Sequence, residues 1–178
     1  MSTAEILRAR ALRLAEPPPA RSAERAARPV LSFEFGTDVY ALDLRHVGEV
    51  LALRSLTPLP GMPPVYRGVT YVRGRILPVI DARRLLALDD REPSAASRLV
   101  RIAVDRLDLG LLVDGQVAVA SLPVDAWQNP FFERPGNGID LVEGITADRI
   151  AVINAHRLAA DARIRVPPRP PDPGQHLS

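Results

Sequence analysis

The tightest constraint on this chain is an internal echo. Val79-Ile80-Asp81-Ala82-Arg83-Arg84-Leu85 returns as Val152-Ile153-Asn154-Ala155-His156-Arg157-Leu158, with five of seven positions identical and Asp exchanged for Asn. Upstream, Gly68-Val69-Thr70 is matched by Gly144-Ile145-Thr146, and Ala41-Leu42-Asp43 has a looser counterpart in Leu112-Val113-Asp114. The offsets run from 71 to 76 residues. Self-similarity at one period marks a structural unit used twice, here two small lobes of about 65–75 residues. Each lobe ends in a strand, a capping residue and a short helix. Asp81 and Asn154 sit where the strand stops, and their side-chain oxygens can accept from orphan backbone N–H groups.

The units themselves read as β. Leu31, Phe33 and Phe35 alternate with Ser32 and Glu34, the period of a half-buried strand. Gly36-Thr37-Asp38 supplies turn chemistry, and Val39 to Leu44 continues the alternation. Similar short runs recur at 66–72, 75–80, 98–105, 109–114, 116–122, 139–146 and 149–153, while helical length fits only 81–88 and 154–161. Many short strands with regular turn signals predict an all-β sandwich or barrel architecture.

The two ends differ from this middle. Thr3 to Glu16 reads as a helix, with Thr3 as a cap and Ile6, Leu7, Ala11 and Leu14 as an apolar stripe. It fits two roles, packing on its own domain or docking a partner. Pro17-Pro18-Pro19 opens a linker to Arg28, and Pro167 to Pro173 holds five prolines, so both segments are expected to be extended or disordered. The organisation is therefore 1–28 helix and Pro/Arg-rich linker, 29–162 β domain with a lobe boundary near 90–97, and 163–178 Pro-rich tail. Residues 1–28 carry six Arg against three Glu, whereas 29–162 carry 14 Arg against 17 acids. The basic character belongs to the ends. A nucleic-acid-binding domain shows its basic excess on the folded surface, so none is expected here.

Cysteine and lysine are both absent, all 23 basic residues being arginine. Zinc ribbons, iron–sulfur clusters, thiol catalysis, Walker lysines and Schiff bases are thereby excluded. His46, His156 and His176 have no metal-ligand spacing to one another, and G-x-S-x-G is missing. Asp89-Asp90 reads as a solvated helix end rather than an acid/base pair, and Gly74 as a tight turn between strands. No catalytic residue, metal or cofactor is assigned. Apolar runs fall far short of the ~20 residues of a membrane span, and no signal sequence is evident, so a cytoplasmic location is expected.

As a set, several motifs resemble the CheW family, adaptors of chemotaxis-type signalling arrays. Gly36 to Asp43 resembles the opening hairpin of that family. His46-Val47-Gly48-Glu49-Val50 resembles its V-x-E-[VI] step. Gly68-Val69-Thr70-Tyr71-Val72-Arg73-Gly74-Arg75-Ile76-Leu77-Pro78-Val79-Ile80-Asp81 resembles G-V-x-x-x-R-G-x-x-x-P-V-x-D. Leu112-Val113-Asp114-Gly115 resembles the V-D-x-V strand of the second lobe, with its valine displaced by one. The usual N-L-R-G reads Tyr71-Val72-Arg73-Gly74. The resemblance runs from about Val30 to Ala162.

The resemblance implies two intertwined five-stranded SH3-like barrels with strand exchange, short helices and no enzymatic activity. It implies as partners the regulatory domain of a CheA-type histidine kinase and the cytoplasmic tip of a methyl-accepting chemoreceptor. Membrane association would come through receptors only. Arg73 and Gly74 then correspond to the R-G step at the coupling surface, Val47 and Glu49 to the V-x-E pair, and Gly68 to a glycine near the receptor groove. Trp127, Phe131 and Phe132, three of eight aromatics within six residues, fit either a lid on the second lobe or an additional partner surface. Two other readings stand beside this one: a CheW-like scaffold of a non-motility pathway, and a small-barrel binder of nucleic acid or anionic surfaces through its basic tails.

Overall fold

The structure, a computed structural model, describes residues 27–128 and 138–165. The expected N-terminal helix, Phe131, Phe132 and the tail from Val166 on lie outside them. Ala27 and Arg28, expected in the linker, instead open β1, and Arg163 to Arg165, expected in the tail, belong to the folded domain, with Ile164 buried. The described chain runs β1 (Ala27–Phe35), β2 (Asp38–Asp43), β3 (Val47–Ala52), β4 (Tyr66–Val72), β5 (Arg75–Asp81), α1 (Ala82–Leu85), β6 (Arg98–Val104), β7 (Leu107–Val113), β8 (Val117–Pro123), β9 (Val142–Ile145), β10 (Ile150–Ile153) and α2 (Ala155–Ala160). The architecture is all-β, as the strand pattern predicts. Strand β3 is additional to the expected runs. Its period-2 signal is inverted, because Glu49 takes a half-buried position and Val50 an exposed one. The strand expected at 139–146 is shorter, its start being a 3₁₀ turn over Ile139–Leu141.

Two five-stranded sheets form, in the orders β8-β1-β2-β10-β9 and β3-β6-β7-β5-β4. Each takes two strands from one half of the chain and three from the other. The two orders superimpose when β1 to β5 are matched with β6 to β10. In both, the meeting of the halves is a parallel pair, β2 with β10 and β5 with β7. Register corrects one detail of the repeat. Val79 and Val152 are equivalent, and they pair with Gly110 and Ala41. Ala41 therefore corresponds to Gly110, and the likeness of Ala41-Leu42-Asp43 to Leu112-Val113-Asp114 is displaced by two residues.

Each sheet curls toward closure through an isolated bridge, Thr57 with Val69 and Gln128 with Ile145. The first seam explains Gly68. Its φ is +141°, and a Cβ there would lie 2.2 Å from the Thr57 carbonyl oxygen. No other residue fits so close a backbone approach.

Strand alternation sorts the core into three parts. Val30, Ala41, Leu122, Ile150 and Val152 fill the first barrel, and Leu77, Val79, Leu99 and Leu112 the second. The opposite faces supply the largest cluster, where Phe33, Leu42, Ile80 and Leu111 join both sheets. The two lobes thus share one apolar interior. The helix caps form as expected: Asp81 Oδ1 accepts from the Arg83 N–H at 2.8 Å, and Asn154 Oδ1 from the Arg157 N–H at 2.9 Å.

Candidate functional site

The β4–β5 hairpin carries the residues of interest. Val72 and Arg75 are cross-strand partners, leaving Arg73 and Gly74 as a two-residue turn with φ of +47° and +84°. Positive φ at both central residues matches the right-handed twist of the flanking strands, and Asn-Gly or Gly-Gly is the usual solution. An arginine held in the left-handed region costs about 1–2 kcal/mol. Such local strain gathers at functional positions.

Glu49 holds the arginine. Arg73 Nε donates to Glu49 Oε2 at 2.9 Å, while the Arg73 side chain stays 77% exposed and that of Glu49 only 16%. A bulge between Val47 and Glu49 shifts the β3 register at Gly48 and lets Glu49 lie over Arg101, its cross-strand partner. Arg101 Nη1 reaches Glu49 Oε1 at 3.6 Å and grips Asp108 bidentately at 2.8 and 2.7 Å. That hydrogen-bonded guanidinium holds the Asp108 carboxyl below its ordinary value. The outcome is a fixed row of alternating charge with the Nη donors of Arg73 left facing solvent.

The expected site residues do not all meet here. Arg73, Gly74 and Glu49 share this face. Val47 instead packs half-buried against the main core. Gly68 lies buried at the barrel seam and offers no side chain. Trp127 is half-buried and packs on the interior of the first barrel, with the Arg28 guanidinium 4.6 Å from its ring centroid. Its Nε1 is buried without a hydrogen-bond partner among the described residues.

Two groupings escaped the sequence. Asp89 and Asp90 are solvent-exposed, as expected, and are also ion-paired. Asp90 takes Arg67 at 2.5 Å and Arg84 at 2.9 Å, and Asp89 pairs with Arg83 and Arg91. The connection from α1 to β6 is thereby laced to the second barrel. His46 and His156, 110 residues apart, stack edge-to-face with centroids at 5.0 Å, and His156 Nδ1 lies 3.1 Å from Asp105 Oδ2. Nothing in local spacing announces contacts between such distant segments. Among the described residues no group of three ligating side chains could hold a metal ion. No helix there is long and apolar enough to cross a membrane.

Residues 29–163 match the family model described as CheW-like domain. The chain belongs to the CheW family. It is 20% identical over 143 residues to the chemotaxis protein CheW of Treponema pallidum, covering 76% of this chain and 84% of that one. Protein PilI of Pseudomonas aeruginosa is 33% identical over 120 residues, 66% of each chain, so just under two thirds of that relative is spanned. Among solved structures, the scaffolding protein TtCheW from Thermoanaerobacter tengcongensis aligns with a TM-score of 0.65 and 28% identity, covering 72% of this chain and 90% of that one. The two sheets are the CheW-like fold, and the protein is an adaptor of the CheW type.

Proposed function

We propose that this CheW-family chain is a non-enzymatic scaffold coupling a CheA-type histidine kinase to methyl-accepting chemoreceptors, at the cytoplasmic side of a receptor array. The observation that supports this most is the family match over 29–163, joined by an exposed arginine kept in an unfavourable backbone state by a half-buried glutamate. In this reading Arg73, Gly74 and Glu49 touch partners. Val47 and Gly68 act by shaping β3 and the seam behind them. Each contact would be of ordinary protein–protein size, ~800 Å² per partner, and arrayed contacts gain from multivalency.

The decisive measurement is calorimetry of the full chain with the CheW-like regulatory domain of a kinase from its own genome, at two salt concentrations. Micromolar or tighter binding that persists at the higher salt is the expected result. A folded sample that binds no such domain overturns the coupling role. Binding that collapses steeply with salt would point instead to the basic tails. A second reading is a CheW-like scaffold serving a pathway outside motility. Kinases of each pathway, tested side by side, separate the two.

A further inference from the structure

Distance along the chain separates His46 from His156, yet the fold brings them together. His46 ends the 3₁₀ turn Leu44–His46 that leads into β3, and His156 lies on α2. Their rings meet nearly at right angles, 84°, with centroids 5.0 Å apart. A third group joins from the β6–β7 turn, where Asp105 Oδ2 lies 3.1 Å from His156 Nδ1. Three segments from both halves of the chain thus converge on one patch of surface. His46 is half-buried, while the His156 and Asp105 side chains are 61% and 63% exposed.

The chemistry of the two rings is set by what surrounds them. A carboxylate accepts and does not donate, so the His156 proton sits on Nδ1 and the lone pair on Nε2. That is the tautomer a metal-ligating histidine takes when a carboxylate behind it fixes the ring. His46 forms no hydrogen bond or ion pair among the described residues, which leaves its ring nitrogens available. The cations beside the two histidines in sequence are drawn elsewhere. Arg45 holds Asp43 at 2.9 Å, and Arg157 donates to the Asp140 and Val142 carbonyls. Asp105 is left as the charge in direct contact with the pair, and its sign favours a cation.

We infer that His46 and His156 form a two-imidazole site for a late first-row divalent cation, zinc or its neighbours nickel and copper, with Asp105 orienting His156 from behind. Two imidazoles bound to one zinc at about 2.0–2.1 Å, with roughly 90–110° between the bonds, hold their centroids about 4.5–5.3 Å apart. The observed 5.0 Å falls inside that window. An ordinary edge-to-face contact spans it too; the carboxylate on Nδ1 is what a packing contact does not require. No third side chain completes a ligand set among the described residues, so water fills the remaining positions. Imidazole suits zinc, copper and nickel, whereas magnesium and calcium take oxygen ligands. The bound ion ties the approach to β3 to α2 and so joins the two halves of the chain. This assignment is independent of the coupling role.

The test is a zinc titration of the untagged full chain, read by calorimetry, by thermal melting and by the imidazole resonances of ¹⁵N-histidine-labelled protein. Saturable binding is expected, with the His46 and His156 resonances moving together. Free zinc at about a hundredfold over the dissociation constant should raise the melting temperature by roughly 5–10 °C. His46→Gln and His156→Gln should each weaken binding by about tenfold or more. Asp105→Asn, which suits the left-handed backbone there at φ +54°, should weaken it by about tenfold to a hundredfold through the lost orientation of His156. The metal-free melting temperature of each variant checks the fold, and a merely structural contact would alter that temperature and not the response to zinc. Millimolar zinc that leaves either ring's resonances in place overturns the inference. So does affinity that survives the His46→Gln/His156→Gln double variant, which puts the metal elsewhere on the chain, or an equal effect of magnesium. Neither kinase nor receptor enters this experiment, so its failure is distinct from a failure of the coupling role.

Discussion

Arg67 and Asp81 hold one another at 2.7 Å across β4 and β5, and Glu143 of β9 and Asn154, one residue past β10, occupy the matching positions at 2.9 Å. The repeat preserved the geometry and rewrote the charge. In the first half the pair is ionic, with both side chains less than one-tenth exposed. In the second half the cap is a neutral amide, and Glu143 finds its cation in Arg28 of β1, at 2.7 Å. One lobe therefore carries a buried ion pair at its cap, while the other carries a hydrogen bond beside a partly exposed one.

Truncating the two caps should separate these cases. Removing one member of a buried ion pair leaves the other charge uncompensated, at a cost of about 3–5 kcal/mol. Arg67→Ala is expected in that range, whereas Asp81→Ala should cost less through the ion pair, because Arg67 keeps Asp90 and Glu92, and adds the ~1 kcal/mol of its lost cap. Asn154→Ala should cost only ~1 kcal/mol, the ordinary value of a lost cap. Urea unfolding of the three variants checks the ranking. Equal losses at Arg67 and Asn154 would show that the charge redistribution has no energetic consequence.

Arg73 offers a separation of stability from function. Asn tolerates the left-handed region far better than Arg, so Arg73→Asn should raise stability by up to about 1 kcal/mol. The exposed pair with Glu49 that it sacrifices is worth ~0–1 kcal/mol. On the scaffold reading the same variant weakens partner binding, and Arg73→Glu abolishes it with folding nearly intact. Thermal melts and calorimetry on the same samples decide this. Unchanged binding by Arg73→Glu would remove the arginine from the site.

The seam glycine should behave differently from the turn glycine. A methyl group at Gly68 meets backbone at 2.2 Å, whereas at Gly74 the nearest atom, the Tyr71 hydroxyl, is 4.0 Å away. Gly74→Ala thus pays only for its positive φ, about 1 kcal/mol or slightly more. Gly68→Ala must displace Thr57 and open the bridge formed by the Thr57 N–H to the Val69 carbonyl at 2.8 Å and its reciprocal at 2.9 Å. Amide exchange at Thr57 and Val69 should accelerate strongly in Gly68→Ala and little in Gly74→Ala.

The parts legible in the sequence were those set by local chemistry. Alternating apolar residues marked most strands, Arg73-Gly74 marked the hairpin, and Asp81 and Asn154 marked the caps. What stayed hidden required knowing which halves pair. Strand β3 was masked because its bulge turns Glu49 inward and Val50 outward. Asp89 and Asp90 do face solvent, but their ion pairs stayed hidden because Arg67, Arg83 and Arg84 reach them only after β4, β5 and α1 have assembled. The motif residues Val47 and Glu49 are two apart, yet one enters the core and the other meets Arg73, 24 positions away. Spacing cannot report that divergence, since it follows from the register shift at Gly48.

Acid should loosen the C-terminal end of the described chain. Asp161 accepts from the Arg163 backbone N–H at 2.8 Å and from its guanidinium at 2.6 and 3.0 Å, and Arg163 Nη1 reaches back to the Leu85 carbonyl at 2.9 Å. One residue on, the Ile164 carbonyl takes the Tyr66 hydroxyl at 2.6 Å. The side-chain hydrogen bonds from Arg163 outweigh the opposing effect of burial and hold the Asp161 carboxyl below its ordinary 3.8. A group with a lowered folded pKa binds fewer protons folded than unfolded, so its stabilisation is complete above the unfolded value and disappears as pH falls through the folded one. Asp161→Asn should therefore cost ~1–2 kcal/mol at neutral pH. The gap to the parent protein should close below pH 3.8. Urea midpoints measured down this range test it, and a gap that stays constant to the lowest pH would mean that the strap is held by Tyr66 and Ile164 rather than by the carboxylate.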